Sequence, residues 1–238
     1  MLDFTYDSYI KLLTLIKQHG YVFSDYKNFN SHNKCIIMRH DVDFSVKRAL
    51  EIAKIESDNN VSSTFFIMLT SDFYNAFSPS NRKCIFSILE RGHQIGVHFD
   101  PNVYDNRGDL LVRDLLKEIR TFEMYYGIST NSFSFHRPPK EMVGKNLIIP
   151  GMVNAYGEEI FSKVKYVSDS RRYWREPIEL YLEEERYPKI HILTHPFWYE
   201  KYDRGSIEAS LKVFINEAQS ERKQGLENNI AGFRLLNI

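Results

Sequence analysis

Cysteine is scarce: only Cys35 and Cys84 occur in the 238 residues, and their spacing suits neither a metal site nor a redox pair. A reducing cytoplasm is the expected compartment. Long hydrophobic runs are missing too. No stretch reaches the roughly 18 consecutive apolar residues that a membrane-spanning helix needs. Net charge is absent, since 31 basic and 31 acidic side chains cancel without any basic run, which argues against nucleic acid or an anionic membrane as partner. The first twenty residues lack the apolar core of a signal peptide and instead space Tyr6, Ile10, Leu13 and Ile16 along one helix face. With no repeat, low-complexity tract or linker, and with 43% hydrophobic and 26% charged residues, residues 1–238 are expected to form one domain.

Short apolar segments, Cys35–Met38, Thr64–Met68, Gln94–Val97, Ser132–Phe135, Val164–Val167 and Ile190–Leu193, read as strands. Between them, Val46–Ser57, Asn81–Arg91 and the series Leu111, Leu115, Ile119, Phe122 and Tyr126 before Gly127 read as helices. A last helix carries Ile207, Leu211, Phe214, Ile215 and Ala218 on one face, with Gly225 as its expected end. Such alternation implies an α/β fold with right-handed crossovers and a parallel sheet, open or closed into a barrel. Arg171 to Lys189 reads as an irregular insertion, more mobile than its flanks, on the face that carries the loops.

Functional groups collect at strand ends in such folds. Asp41 and Asp43, one residue apart, project to the same side of an extended strand. Their repulsion is tolerable when a divalent cation sits against one, which leaves the other as a base for water. Alternatively, Asp43 or Ser45 caps the helix starting near Val46. His98 suits a neutral metal ligand beside Asp100 and Asn102, or a hydrogen-bonded rim position. His93, at the other end of that strand, reads as a turn residue outside the site. Arg137, stiffened by Pro138 and Pro139, can orient a carboxylate or be a surface arginine. His195 is a candidate general acid or a histidine bonded to backbone. Phe197, Trp198, Tyr199, Tyr202, Tyr173 and Trp174 either line a pocket for a ring-shaped ligand or pack in core and rim.

Taken in order, Arg39-His40-Asp41-Val42-Asp43, Ser63-Thr64-Phe65-Phe66, Gly92 to His98, Arg137-Pro138-Pro139, Asp169 and Leu193-Thr194-His195 resemble motifs of the polysaccharide deacetylases, carbohydrate esterase family 4. The resemblance spans about Ile36 to Tyr199 and implies a distorted (β/α)7 barrel. It implies a divalent metal, zinc first, and a metal-dependent carbon–nitrogen hydrolase that takes an acetyl or formyl group from an amino sugar. Asp41 would be the base, Asp43 and His98 metal ligands, Arg137 the orienter of the base, Leu193 a wall of the acyl pocket and His195 the acid. His136, Asp169, Trp198 and Trp174 would touch substrate. The family's second metal histidine falls at Asn102, so the third ligand is open among Asn102, Asp100 and an inward-turned His136. The strings Arg-His-Asp-Val-Asp and His-Pro-Phe-Trp resemble a bacterial subgroup associated with surface-polysaccharide synthesis, which implies a cytoplasmic saccharide precursor as substrate. A ureide or cyclic-amide hydrolase and a catalytically silent carbohydrate-binding protein are the alternative readings.

Overall fold

A computed structural model describes residues 2–104, 107–138, 143 and 147–230. In chain order it contains α1 (Tyr6–Gln18), β1 (Val22–Ser24), β2 (Cys35–Val42), α2 (Val46–Asp58), β3 (Thr64–Ile67), α3 (Pro79–Glu90), β4 (Gln94–Phe99), α4 (Asp109–Tyr126), β5 (Ser132–Phe135), β6 (Val153–Asn154), α5 (Glu158–Lys163), β7 (Lys165–Ser168), α6 (Ile178–Glu183), β8 (Lys189–Thr194) and α7 (Ile207–Asn229). The sheet runs β6-β5-β4-β3-β2-β8-β7, and every pairing is parallel. Among the described residues no pairing joins β6 to β7. The barrel is therefore distorted and open at that seam, as the sequence resemblance implied. At the amino-terminal end, β1 pairs with Cys35–Ile37 of β2, while β3 takes Arg39–Val42.

Alternation along β2 divides the molecule into two apolar layers. Cys35 and Ile37 face the barrel interior, packed with Tyr26, Phe29, Phe66, Ala155, Ile160 and Val164. Ile36, Met38 and Val42 face the helices and join the larger core of α1, α2, α3, α4 and α6. Gly96 of β4 belongs to the interior. A β-carbon there would lie 2.4 Å from the Phe66 ring and 2.7 Å from the Ser132 carbonyl oxygen, so a side chain has no room.

Ser45, Ser78 and Ser206 cap α2, α3 and α7 by accepting backbone amides, and Gly127 closes α4 in the left-handed conformation. The helices expected from periodicity are present, with two differences. First, α7 passes through Gly225 to Asn229, since a glycine inside an exposed helix costs only about 1 kcal/mol. Second, Arg171 to Lys189 contains α6, whose Ile178, Tyr181 and Leu182 are buried, so it is the crossover to β8 and not an irregular insertion. Among the described residues no helix is long and apolar enough to cross a membrane.

Candidate active site

Arg39 and Asp41 lie on the inward face of β2 and bind each other. Arg39 donates from Nε to Oδ1 at 2.8 Å and from Nη2 to Oδ2 at 2.7 Å, with both side chains buried. The guanidinium stacks 4.4 Å from the Tyr156 ring centre and 5.2 Å from that of Phe66. Burial alone would raise the Asp41 carboxyl, but the charges of Arg39 and His98 hold it below the ordinary carboxylate value. Asp41 is thus an ionised carboxylate held in one orientation by Arg39.

Just past β2, Asp43 is free of capping duty because Ser45 accepts the Arg48 amide at 3.3 Å. Its Oδ1 lies 3.2 Å from His98 Nε2 and 3.2 Å from His136 Nδ1, yet this buried oxygen has no hydrogen-bond partner. Ligand atoms of Asp43, His98 and His136 fall within 4.8 Å of one another. His98 shares a 2.6 Å hydrogen bond between Nδ1 and Ser134 Oγ, which fixes the ring with Nε2 toward Asp43. Two imidazole nitrogens and one carboxylate oxygen, with an orphaned buried atom between them, are a donor set that fits a zinc-like divalent ion. Burial opposes the Asp43 charge, but the facing imidazoles of His136 and His98 hold its carboxyl well below the usual range.

At the neighbouring strand ends, Asp169 follows β7 and His195 follows β8. Asp169 is fully buried; its Oδ1 lies 2.6 Å from His195 Nδ1, and its two oxygens accept the His195 amide at 3.0 and 3.1 Å. Tyr199 donates its hydroxyl to Oδ2 at 3.1 Å. This leaves His195 Nε2 facing the cluster, 3.9 Å from Asp43 Oδ2. Burial by itself would lower the imidazole, but the charge and hydrogen bond of Asp169, aided by Asp43 and Asp41, push it up to about 9. These carboxylates favour the protonated imidazole.

Several of the residues singled out in the sequence are placed otherwise than expected. Arg137 is exposed, at φ 46°, with no ionic partner among the described residues, and Arg39 holds the position foreseen for it. Pro139 lies outside the described residues. Asn102 and Asp100 bond each other in the turn beyond β4, Asp100 Oδ1 accepting the Asn102 backbone amide at 2.9 Å and its side-chain Nδ2 at 3.0 Å; Asn102 is exposed there, and the acidic and imidazole ligand atoms that cluster are those of Asp43, His98 and His136, without Asp100. Asp169 locks His195 and has no free face for a ligand. Trp198 is buried against Phe197 and Phe44 as core. Trp174 packs half-buried on the core edge. Leu193, buried at the end of β8, accepts the Asp169 amide through its carbonyl at 3.2 Å and so stands beside the site.

His93, between the turn at Arg91–Gly92 and β4, is a structural residue outside the site, as expected. With His40 it surrounds the fully buried Glu56, which also accepts Tyr9 and Ser63 hydroxyls at 2.6 and 2.5 Å, outside the barrel. Cavities of about 420 and 510 Å³ lie away from the cluster, one around Asp25 and Gln94 at the barrel's amino-terminal end and one beside α5.

No family model and no curated protein matches the chain. Its structural neighbours are carbohydrate esterase family 4 proteins, active and inactive alike. IcaB from Ammonifex degensii shares 16% identity at a TM-score of 0.42, over 55% of this chain and 65% of that one. A family 4 pseudoenzyme from Bacillus anthracis shares 16% at 0.43, over 79% and 62%. The chitin deacetylase of the fungal pathogen Colletotrichum lindemuthianum shares 15% at 0.43, over 78% and 81%. The chain thus spans less than two thirds of the length of the first two.

Proposed function

We propose that this protein is a metal-dependent amide hydrolase that removes an N-acyl group, acetyl or formyl, from an amino sugar or sugar-containing precursor of surface polysaccharide. The carrying observation is the buried, unpartnered Asp43 Oδ1 facing His98 Nε2 and His136 Nδ1 at 3.2 Å each, with Asp41 and His195 separately locked beside it. Asp43, His98 and His136 would hold the divalent ion, which when bound supplies Lewis-acid polarisation of the acyl carbonyl and a more acidic water. Asp41 takes the proton of the attacking water at Oδ2, the oxygen 3.7 Å from His98 Nε2. Arg39 keeps that carboxylate oriented and ionised. With Nδ1 committed to Asp169, His195 delivers its proton from Nε2 to the departing amine, and Leu193 walls the acyl group.

The test is metal analysis of the purified protein together with acetate or formate release from N-acylated sugars. Stoichiometric divalent ion and release that disappears in Asp41→Asn and His195→Ala are expected. Protein that binds no ion and releases no acyl group under any metal would overturn the reading.

A further inference from the structure

We infer that Glu56 is a positioning residue: from outside the barrel it holds His40 and Tyr9, and through them it fixes the acid His195 against the base Asp41. This rests on the deacylase reading, which gives those two residues their roles, and adds to it a group on the far face of the sheet.

Glu56 is fully buried on α2. Alternation sends Arg39 and Asp41 into the barrel and His40, between them, out to the helices. The residue opposite His40 on β8 is Thr194, which stands between Leu193 and His195 and also faces outward. His40 Nε2 lies 3.1 Å from Glu56 Oε1, and His40 Nδ1 lies 2.7 Å from Thr194 Oγ1. A carboxylate only accepts, so Nε2 donates to it. The ring is stacked on Phe65 with centres 4.3 Å apart and cannot turn without losing both bonds. One imidazole thus ties β2 to β8 directly behind Asp41 and His195. A second arm runs through Tyr9, which donates its hydroxyl to Glu56 Oε1 at 2.6 Å and meets Tyr199 edge-on at 5.1 Å. Tyr199 in turn bonds Asp169, the partner of His195.

Stability alone is a poor reason for this carboxylate. Burial opposes its charge, and His40 together with the hydrogen bonds holds the carboxyl below its ordinary value. Among the described residues no lysine or arginine pairs with it. His93 supplies no charge either: its Nε2 donates to the Ala53 carbonyl at 2.9 Å, its Nδ1 accepts the Ser63 amide at 3.3 Å, and burial lowers the imidazole. Apolar side chains of similar volume commonly serve a core as well as a buried charge does. A fully bonded polar network supplies one unique arrangement instead. His40 and Thr194 are the chain neighbours of the two reacting groups, so a turn of either is passed through the backbone to Asp41 or His195. A misplacement of about 1 Å there costs on the order of 100-fold in rate.

The experiment removes the brace at two points. Thr194→Val keeps the shape and deletes the bond to His40, while Glu56→Gln keeps the shape and deletes the charge. Each is expected to lower kcat about 10–100-fold with KM little changed, and the double variant to fall no further than the worse single one, because both act through His40. Phe122→Leu, a change in the core on α4 away from the brace, is the stability control and should keep kcat. Independently of turnover, the NMR signal of the His195 Nδ1 proton shared with Asp169 should shift or broaden in both brace variants and not in Phe122→Leu. An unmoved signal or wild-type kcat in either brace variant, or an equal loss of kcat in Phe122→Leu, overturns the brace. A signal that responds in the brace variants, in a protein whose wild type releases no acyl group from any N-acylated sugar, sustains the brace and sinks the deacylase reading instead.

Discussion

Replacing Arg39 with methionine removes both hydrogen bonds to Asp41 and leaves a carboxylate 3% exposed in the barrel interior. Two charge-assisted bonds at about 1.5–3 kcal/mol each agree with the loss of about 3–5 kcal/mol for breaking a buried pair from one side. The cost depends on pH with a definite sign. In the wild type the Asp41 carboxyl is depressed below 3.8, so its stabilisation is present above that value and lost as pH falls through the folded pKa. Without Arg39, burial dominates and raises the carboxyl, so the variant loses stability as pH rises through the new folded value. Urea unfolding should therefore find Arg39→Met much weaker than wild type at pH 8 and closer to it at pH 4. Adding Asp41→Asn should restore most of the loss by removing the stranded charge. A single variant that costs under about 1 kcal/mol, or a double variant as unstable as the single, would refute the pairing argument. Turnover supplies a second discrimination: loss in Arg137→Ala with retention in Arg39→Met would return the orienting role to Arg137.

Three further outcomes are expected. Chelator competition should show Ser134→Ala weakening the bound ion about 10–100-fold and His136→Ala weakening it more, with Asn102→Ala unchanged; release of the ion by Asn102→Ala but not by His136→Ala would contradict the ligand set. Gly96→Ala should destabilise by about 1–3 kcal/mol or more in thermal unfolding, and Phe66→Leu should recover only part, because the Ser132 carbonyl remains; full recovery would show that only the ring was in the way. Burial, opposed by the Tyr104 hydroxyl and aided by Asp100 and Asp114, raises Glu118 from 4.5 to about 7, so its favourable contribution is complete below 4.5 and lost as pH rises through 7. Glu118→Gln should match wild type at pH 4 and be up to about 3 kcal/mol more stable at pH 8; equal stability at both would refute the burial argument.

Alternation of period two by itself places Asp41 and Asp43 on one face, and the same step taken backwards reaches Arg39. The signal for its role was a charged residue continuing the apolar run Cys35–Met38, which only a buried partner tolerates. Capping chemistry marked Gly127 for the same local reason but left the α2 cap open between Asp43 and Ser45, which the fold resolves to Ser45, while Gly225 is passed because an exposed helix tolerates glycine. Helix α6 shows buried positions at spacings of three and one, Ile178, Tyr181 and Leu182, but one short turn of pattern is too little to distinguish from a loop.

What the chain determined by itself is therefore what spacing along one strand or helix can encode: the β/α alternation, the shared face of Arg39, Asp41 and Asp43, and the delivery of His98, His136, Asp169 and His195 to strand ends. Which of these groups meet was decided only by sheet order and register. His98 pairs opposite Ser134 on β5, so His136, two residues on, comes to Asp43 on the same face, whereas Asn102 sits exposed in the turn beyond β4, bonded to Asp100. Ser168 pairs opposite Leu193, which brings Asp169 to His195 across 26 residues. Parallel neighbours are joined through long crossovers, so contacts between their ends have no fixed sequence separation, and only the folded sheet specifies them.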